Sequence, residues 1–171
     1  AELLHLFLQE GFDANVNDGA PLILAVQQQQ IDIVQVLLHH GGANPNVREG
    51  KPLRKAVELQ HLKLVQLLLQ YNADPNVKEG EPLFHALMLG NNNTTTLDIV
   101  YTLLSYGANP NGGQGWPLGK AAANHGMKMV DLLLRFGAHP DGEEGWPLFV
   151  AAWEGKYDVV QLLLDYNADP N

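Results

Sequence analysis

The side chains able to do chemistry in this chain are its histidines, its carboxylates and a few clustered aromatics, and their spacing limits the chemistry sharply. Cysteine is absent, which removes disulfides, thiolate zinc sites and cysteine nucleophiles. The histidines form no His-Glu-x-x-His pattern, and no glycine-rich phosphate loop is present. His39 and His40 are adjacent in sequence, so on a helix they project to different sides and suit capping or solvation. His85 and His125 stand in unrelated contexts. No nucleophile, base and orienting group can be assembled, so the sequence predicts no enzyme, no metal and no cofactor.

What remains is suited to recognition. Trp116 and Trp146 each precede a proline, and Phe149, Trp153 and Glu154 follow close behind Trp146, with Glu143 and Glu144 before it. Upstream lies a basic group of Arg48, Lys51, Arg54 and Lys55, and the apolar Leu59, Met88 and Leu89 fall between the two. Aromatics framed by charge are what interface hot spots look like. A net charge of −9 argues against nucleic acid, whose phosphates demand clustered Lys and Arg, and suits a neutral or basic partner. No stretch approaches the roughly 18 apolar residues of a membrane span, so no membrane insertion is expected. The N-terminus lacks the charged start and cleavage site of a secretory signal, which predicts an intracellular protein, cytoplasmic or nuclear, while leaving a secreted effector open.

The elements that position these residues recur. Pro-Leu occurs at Pro21, Pro52, Pro82, Pro117 and Pro147, spaced by 31, 30, 35 and 30 residues. Asn15, Asn46, Asn76, Asn111, Asp141 and Asn171 keep the same phase. Proline suits the first turn of a helix and pushes the residue before it toward extended backbone, so a first helix is predicted to begin at each Pro-Leu. Leu22, Ala25 and Val26, then Leu53, Ala56 and Val57, mark its buried face. A second helix follows, as in Val159-Val160 and Leu162-Leu163-Leu164, and ends at Gly41, Asn72, Gly107, Gly137 or Asn167, residues that readily take the left-handed cap. Pro75, Pro110, Pro140 and Pro170 prevent continuation.

The stretch Pro147-Leu148-Phe149-Val150-Ala151-Ala152-Trp153-Glu154-Gly155, followed by Asp158-Val159-Val160-Gln161-Leu162-Leu163-Leu164, resembles the helix pair of ankyrin repeats. The resemblance covers almost the whole chain. It implies an all-α solenoid of stacked helix-turn-helix repeats forming a single domain over 1–171. Residues 1–15 match a second helix and cap, followed by full units at 16–46, 47–76, 77–111, 112–141 and 142–171. The family's Thr-Pro-Leu-His start lacks both Thr and His here, and the connection from Asn to Pro is about three residues short of the usual β-hairpin finger. Tight turns around Gly19, Gly50, Gly80, Gly115 and Gly145 are expected instead. The polar insertion Gly90-Asn91-Asn92-Asn93-Thr94-Thr95-Thr96 reads as a surface loop, and its match to a glycosylation acceptor pattern carries little weight without a secretory signal.

Two columns read as structural. The asparagines are expected to bond the neighbouring turn, and Tyr71, Tyr106, Phe136 and Tyr166 to form a stacking ladder between units. The resemblance implies that the opposite face of the first helices lines a concave groove. That makes Trp116, Trp146, Phe149, Trp153, Glu154, Met88, Leu89, Leu59, Arg54 and Lys55 the candidate partner-binding residues. The expected function is a protein-interaction module whose partner, a protein or peptide, presents a basic and apolar segment. The alternatives are a regulatory or targeting module of a larger enzyme and a rigid spacer. The last unit lacks polar substitutions in its second helix, which predicts further repeats or self-association through exposed ends.

Overall fold

The computed structural model describes residues 11–89 and 93–171, and the helices there come in five consecutive pairs. They are α1 (Val16–Gln27) with α2 (Ile31–His39), α3 (Val47–Glu58) with α4 (Leu62–Gln70), and α5 (Val77–Leu89) with α6 (Thr94–Ser105). Then follow α7 (Trp116–Asn124) with α8 (Met127–Arg135), and α9 (Gly142–Trp153) with α10 (Tyr157–Asp165). Among the described residues there is no strand. Residues 1–10, which the sequence reading assigns to a partial unit, and residues 90–92 of the insertion lie outside the described residues.

The first helices pack on one another in the order α1, α3, α5, α7, α9, and each also packs on its own second helix. The result is two layers with a continuous apolar seam between them. Leu22, Leu53, Leu83 and Leu118 of the first helices are fully buried there, against Leu37, Leu68, Leu103 and Leu133 of the second. Alanines at the same turn of each first helix, Ala56, Ala86, Ala121 and Ala151, are completely covered, because a methyl group is all that fits where two helices approach closely.

The link from each asparagine to the next proline is a left-handed turn running directly into the right-handed helix. Asn17, Asp18 and Gly19 have φ of 51°, 56° and 74°, and Arg48-Glu49-Gly50 and Lys78-Glu79-Gly80 repeat the pattern. Left-handed backbone disfavours residues with a Cβ by about 1–2 kcal/mol each. Tertiary contacts offset this cost. A Cβ on Gly19 would lie 2.5 Å from the Val47 side chain, so the glycine supplies both the left-handed φ and room for the next pair's valine. Arg48 ties the preceding turn down, donating from Nη2 to the Asn17 carbonyl (2.9 Å) and from Nε to Asp18 (3.2 Å).

The asparagine column links pair to pair. Asn46 donates from Nδ2 to the Asn72 carbonyl (3.0 Å) and accepts at Oδ1 from the Asp74 amide (2.7 Å). Asn15, Asn76 and Asn111 make the same two bonds one pair on, and Asp141 keeps the acceptor half with the Asp169 amide. At the opposite end of the first helices, side chains satisfy carbonyls that a helix terminus leaves open. Lys156 Nζ donates to the carbonyls of Ala122, Ala123 and His125, and His125 Nε2 lies 2.8 Å from the Leu87 carbonyl.

Several expectations need correcting. The residue before proline is helical, as at Trp116 (φ −49°, ψ −36°), because the preceding turn delivers the chain into the helix one residue early. The first pair's left-handed cap is Gly42, not Gly41; the extra residue in that unit lets the chain pass one position further before reversing. In the fourth unit the turn is a short 3-10 helix, Gly112–Gly115, with Gly113 at φ 59°. Thr94–Thr96 are not loop. Asn93 accepts from the Thr96 amide (2.8 Å) and from its hydroxyl (3.0 Å), and this N-cap draws the threonines into the first turn of α6.

The aromatic column also differs from a simple ladder. Tyr71 meets His39, with its hydroxyl 3.0 Å from Nδ1, and Phe136 packs edge-on against Tyr101.

Candidate protein-binding surface

The first-helix layer has one face sealed by the second helices and one face free. On α9 the free face carries Trp146, Phe149 and Trp153, three or four residues apart and hence on one side of the helix. Their rings form a continuous row, Trp146 on Phe149 with centroids 5.6 Å apart and Phe149 on Trp153 at 6.2 Å, both near parallel. Exposure rises along the row from 40% to 57% to 78%. Glu154 is exposed at the C-terminal end of α9, and Glu144 is exposed in the turn before it. The side chain of Glu143 lies outside the described residues.

The three rings are not equivalent. Trp146 is seated on Gly119, where any Cβ would collide with its indole, so it is partly a packing residue between α7 and α9. The same relation recurs one junction earlier and two junctions earlier. Trp116, which is half exposed, shares a cleft with Phe84, and Glu81 meets Arg54. At these three junctions the residue before the proline therefore faces the residue two places after the preceding proline. Phe149 stands in that second position on α9, and both it and Trp153 are exposed.

Arg54 and Lys55 do not form a free basic patch. Arg54 Nη1 donates to both carboxylate oxygens of Glu81, at 3.0 and 2.9 Å, and Lys55 Nζ lies 2.9 Å from Glu58. His85 sits beside the same two carboxylates, 3.8 Å from Glu58 and 3.6 Å from Glu81. Arg48 is paired with Asp18 and Lys78 with Glu49. The centre of the face is thus an internally neutralised network spanning α3 and α5. Lys78 lowers the Glu49 carboxyl below its ordinary range, first through its hydrogen bond and then through its charge.

Met88 and Leu89 are exposed at the end of α5, and Leu59 is half-buried at the end of α3, so these apolar residues lie away from the aromatic row of α9. Among the described residues no group of three or more His, Asp or Glu is arranged to hold a metal. None of the described helices is long and apolar enough to cross a membrane. Glu81, Phe84 and Gly119 stand at repeating positions in the sequence but were not among the expected site residues, because their importance comes from residues about 30 positions away. The repeat lines them up unit by unit, but only the packing shows that the residue before one proline meets the residue two places after the preceding one.

Known proteins place this architecture. A family model described as ankyrin repeats (3 copies) matches residues 1–79 and 83–171. An ankyrin repeat domain from Acinetobacter baumannii AYE is similar in structure, with a TM-score of 0.70, 30% sequence identity, and coverage of 79% of this chain and 74% of that one. A search of curated proteins returns no match. Ankyrin repeats are generally protein-interaction modules on a typically non-catalytic fold. With a family model spanning nearly all its length and a solved ankyrin repeat domain 30% identical to it, the chain belongs to the ankyrin-repeat family.

Proposed function

We propose that this chain is a non-catalytic protein-interaction module of five full units bounded as 16–46, 47–76, 77–111, 112–141 and 142–171. Its free first-helix face takes a partner segment that pairs a basic residue with an apolar anchor. The observation that carries this reading is the stacked row Trp146–Phe149–Trp153. It presents a large rigid apolar area at low entropic cost beside Glu144 and Glu154, carboxylates with no ion-pair partner among the described residues. The neutralised Arg54–Glu81–Lys55–Glu58 network supports the same end of the molecule, since charges already paired offer a partner little.

The test begins with affinity capture from lysate and identification of the retained protein. Its affinity is then measured for the parent chain and for Trp153→Ala. Trp153 is largely exposed, so the variant keeps its helicity, and binding weakens by about tenfold or more, on the order of 1–2 kcal/mol. Equal affinity in the folded variant removes the aromatic row from the interface.

A further inference from the structure

The junction between the third and fourth helix pairs breaks the regular packing of the turns. At the two junctions before it a valine presses against the glycine of the preceding turn, Val47 on Gly19 and Val77 on Gly50. At this junction the corresponding residue is Gly112, and its bare Cα is what approaches Gly80. The valine side chain is missing and the turn is a 3-10 helix of three glycines and a glutamine, so a cleft of about 290 Å³ opens between the pairs. Phe84 and Trp116 line it from the two sides of the junction, with Gly112, Gly113 and Glu79.

The charge of the cleft can be read from its ion pairs. Lys78 is held by Glu49 at 2.8 Å and Glu81 by Arg54 at 2.9 Å, so each is compensated. Glu79 has no ion-pair partner among the described residues. One uncompensated carboxylate therefore stands beside two aromatic side chains, in a space at the small end of ligand sites and of the scale of a single side chain. A cation over an aromatic face is attracted by the ring quadrupole. A guanidinium is flat, weakly hydrated and always charged, and it stacks on rings while its N–H groups reach a carboxylate.

We propose that this cleft is a side-chain site for an arginine of the partner protein. The guanidinium lies against Trp116 and Phe84 and is neutralised by Glu79. The net charge of −9 favours such a partner's approach. The proposal rests on the protein-binding reading above but uses different residues from the α9 row, so the two can fail separately.

The probe is the blocked dipeptide acetyl-Leu-Arg-amide, with acetyl-Leu-citrulline-amide as its neutral isostere. Each is titrated into the full chain while the three indole N–H signals are followed by NMR, assigned with Trp116→Leu and Trp153→Ala variants. The expected result is a saturable shift of the Trp116 signal with the arginine peptide. Citrulline in the probe, or Glu79→Gln in the protein, weakens it by about fivefold or more, and Trp153→Ala leaves it unchanged. Equal binding of the citrulline peptide makes the cleft merely apolar and overturns the proposal, as does an unaffected Glu79→Gln variant or a silent Trp116. A shift confined to Trp153 and lost in Trp153→Ala overturns the arginine site while leaving the interaction module standing.

Discussion

Asn46 joins one helix pair to the next with two hydrogen bonds from a single amide, one given and one received. Aspartate can do only half of this, and the chain contains the comparison: Asp141 accepts from the Asp169 amide at 2.7 Å and has no proton to donate. Asn46→Ala is therefore expected to lower unfolding free energy by about 1–2 kcal/mol and Asn46→Asp by about half of that, read as a shift in urea midpoint at constant slope. The ion pair of Glu49 with Lys78 gives a pH-dependent counterpart. Because the folded-state pKa of Glu49 is depressed, its contribution is present above the unfolded carboxylate value and is lost as pH falls through the folded one. In Lys78→Gln, the Glu49 carboxyl followed by NMR should titrate at higher pH than in the parent, and an unmoved midpoint would remove Lys78 as the cause. The asparagine roles were legible from sequence because five of six equivalent positions carry asparagine and the sixth its acidic counterpart, Asp141. The pairing of Arg54 with Glu81 was not, since each residue alone reads as an ordinary surface charge.

At the scale of elements, register decides which leucines matter. Leu133 of α8 is fully buried in the seam, whereas Leu132, one position away, is only partly covered. Leu133→Ala should cost about 2–5 kcal/mol by leaving a cavity between the layers, measured by thermal or urea unfolding. Leu132→Ala should cost clearly less, and the reverse order would mean the helix is rotated. The helices and their buried faces could be read from sequence because proline starts, apolar spacing and Gly or Asn stops all agree with one period. The left-handed turns could not. Arg48, Glu49, Lys78 and Glu79 have no local preference for positive φ, and it is the fit of Val47 into Gly19 and Val77 into Gly50 that puts the turns there. The capping role of Asn93 escaped for a related reason: a run of polar residues reads as loop until the helix it caps is visible. The site was half legible. Tryptophans before proline stood out, but which of them is seated and which is free depends on Gly119, a residue with no side chain to notice.

At the scale of the whole molecule, the main helix contacts among the described residues pass between neighbouring pairs, so stability is the sum of each pair's own terms and the junctions on either side of it. The last described pair shows what one covered side means. Ala122 and Leu118 of α7 are buried, but their equivalents on α9 are not: Ala152 is exposed and Leu148 only partly covered. Tyr157, at the start of α10, is 80% exposed. Within residues 11–171, opening the α9–α10 pair gives up one inter-pair junction, whereas opening α3–α4 gives up two. Amide hydrogen exchange in this chain should be graded along the array, with the α9 and α10 amides exchanging through a local opening well below the global free energy and those of α3 and α5 only on global unfolding. A ligand on the aromatic row should slow exchange in α9 and α10 selectively, because it supplies the missing cover to Phe149 and Trp153. Uniform protection from α1 to α10 would show that the array opens as a single cooperative unit and that the uncovered face of α9 carries no energetic penalty.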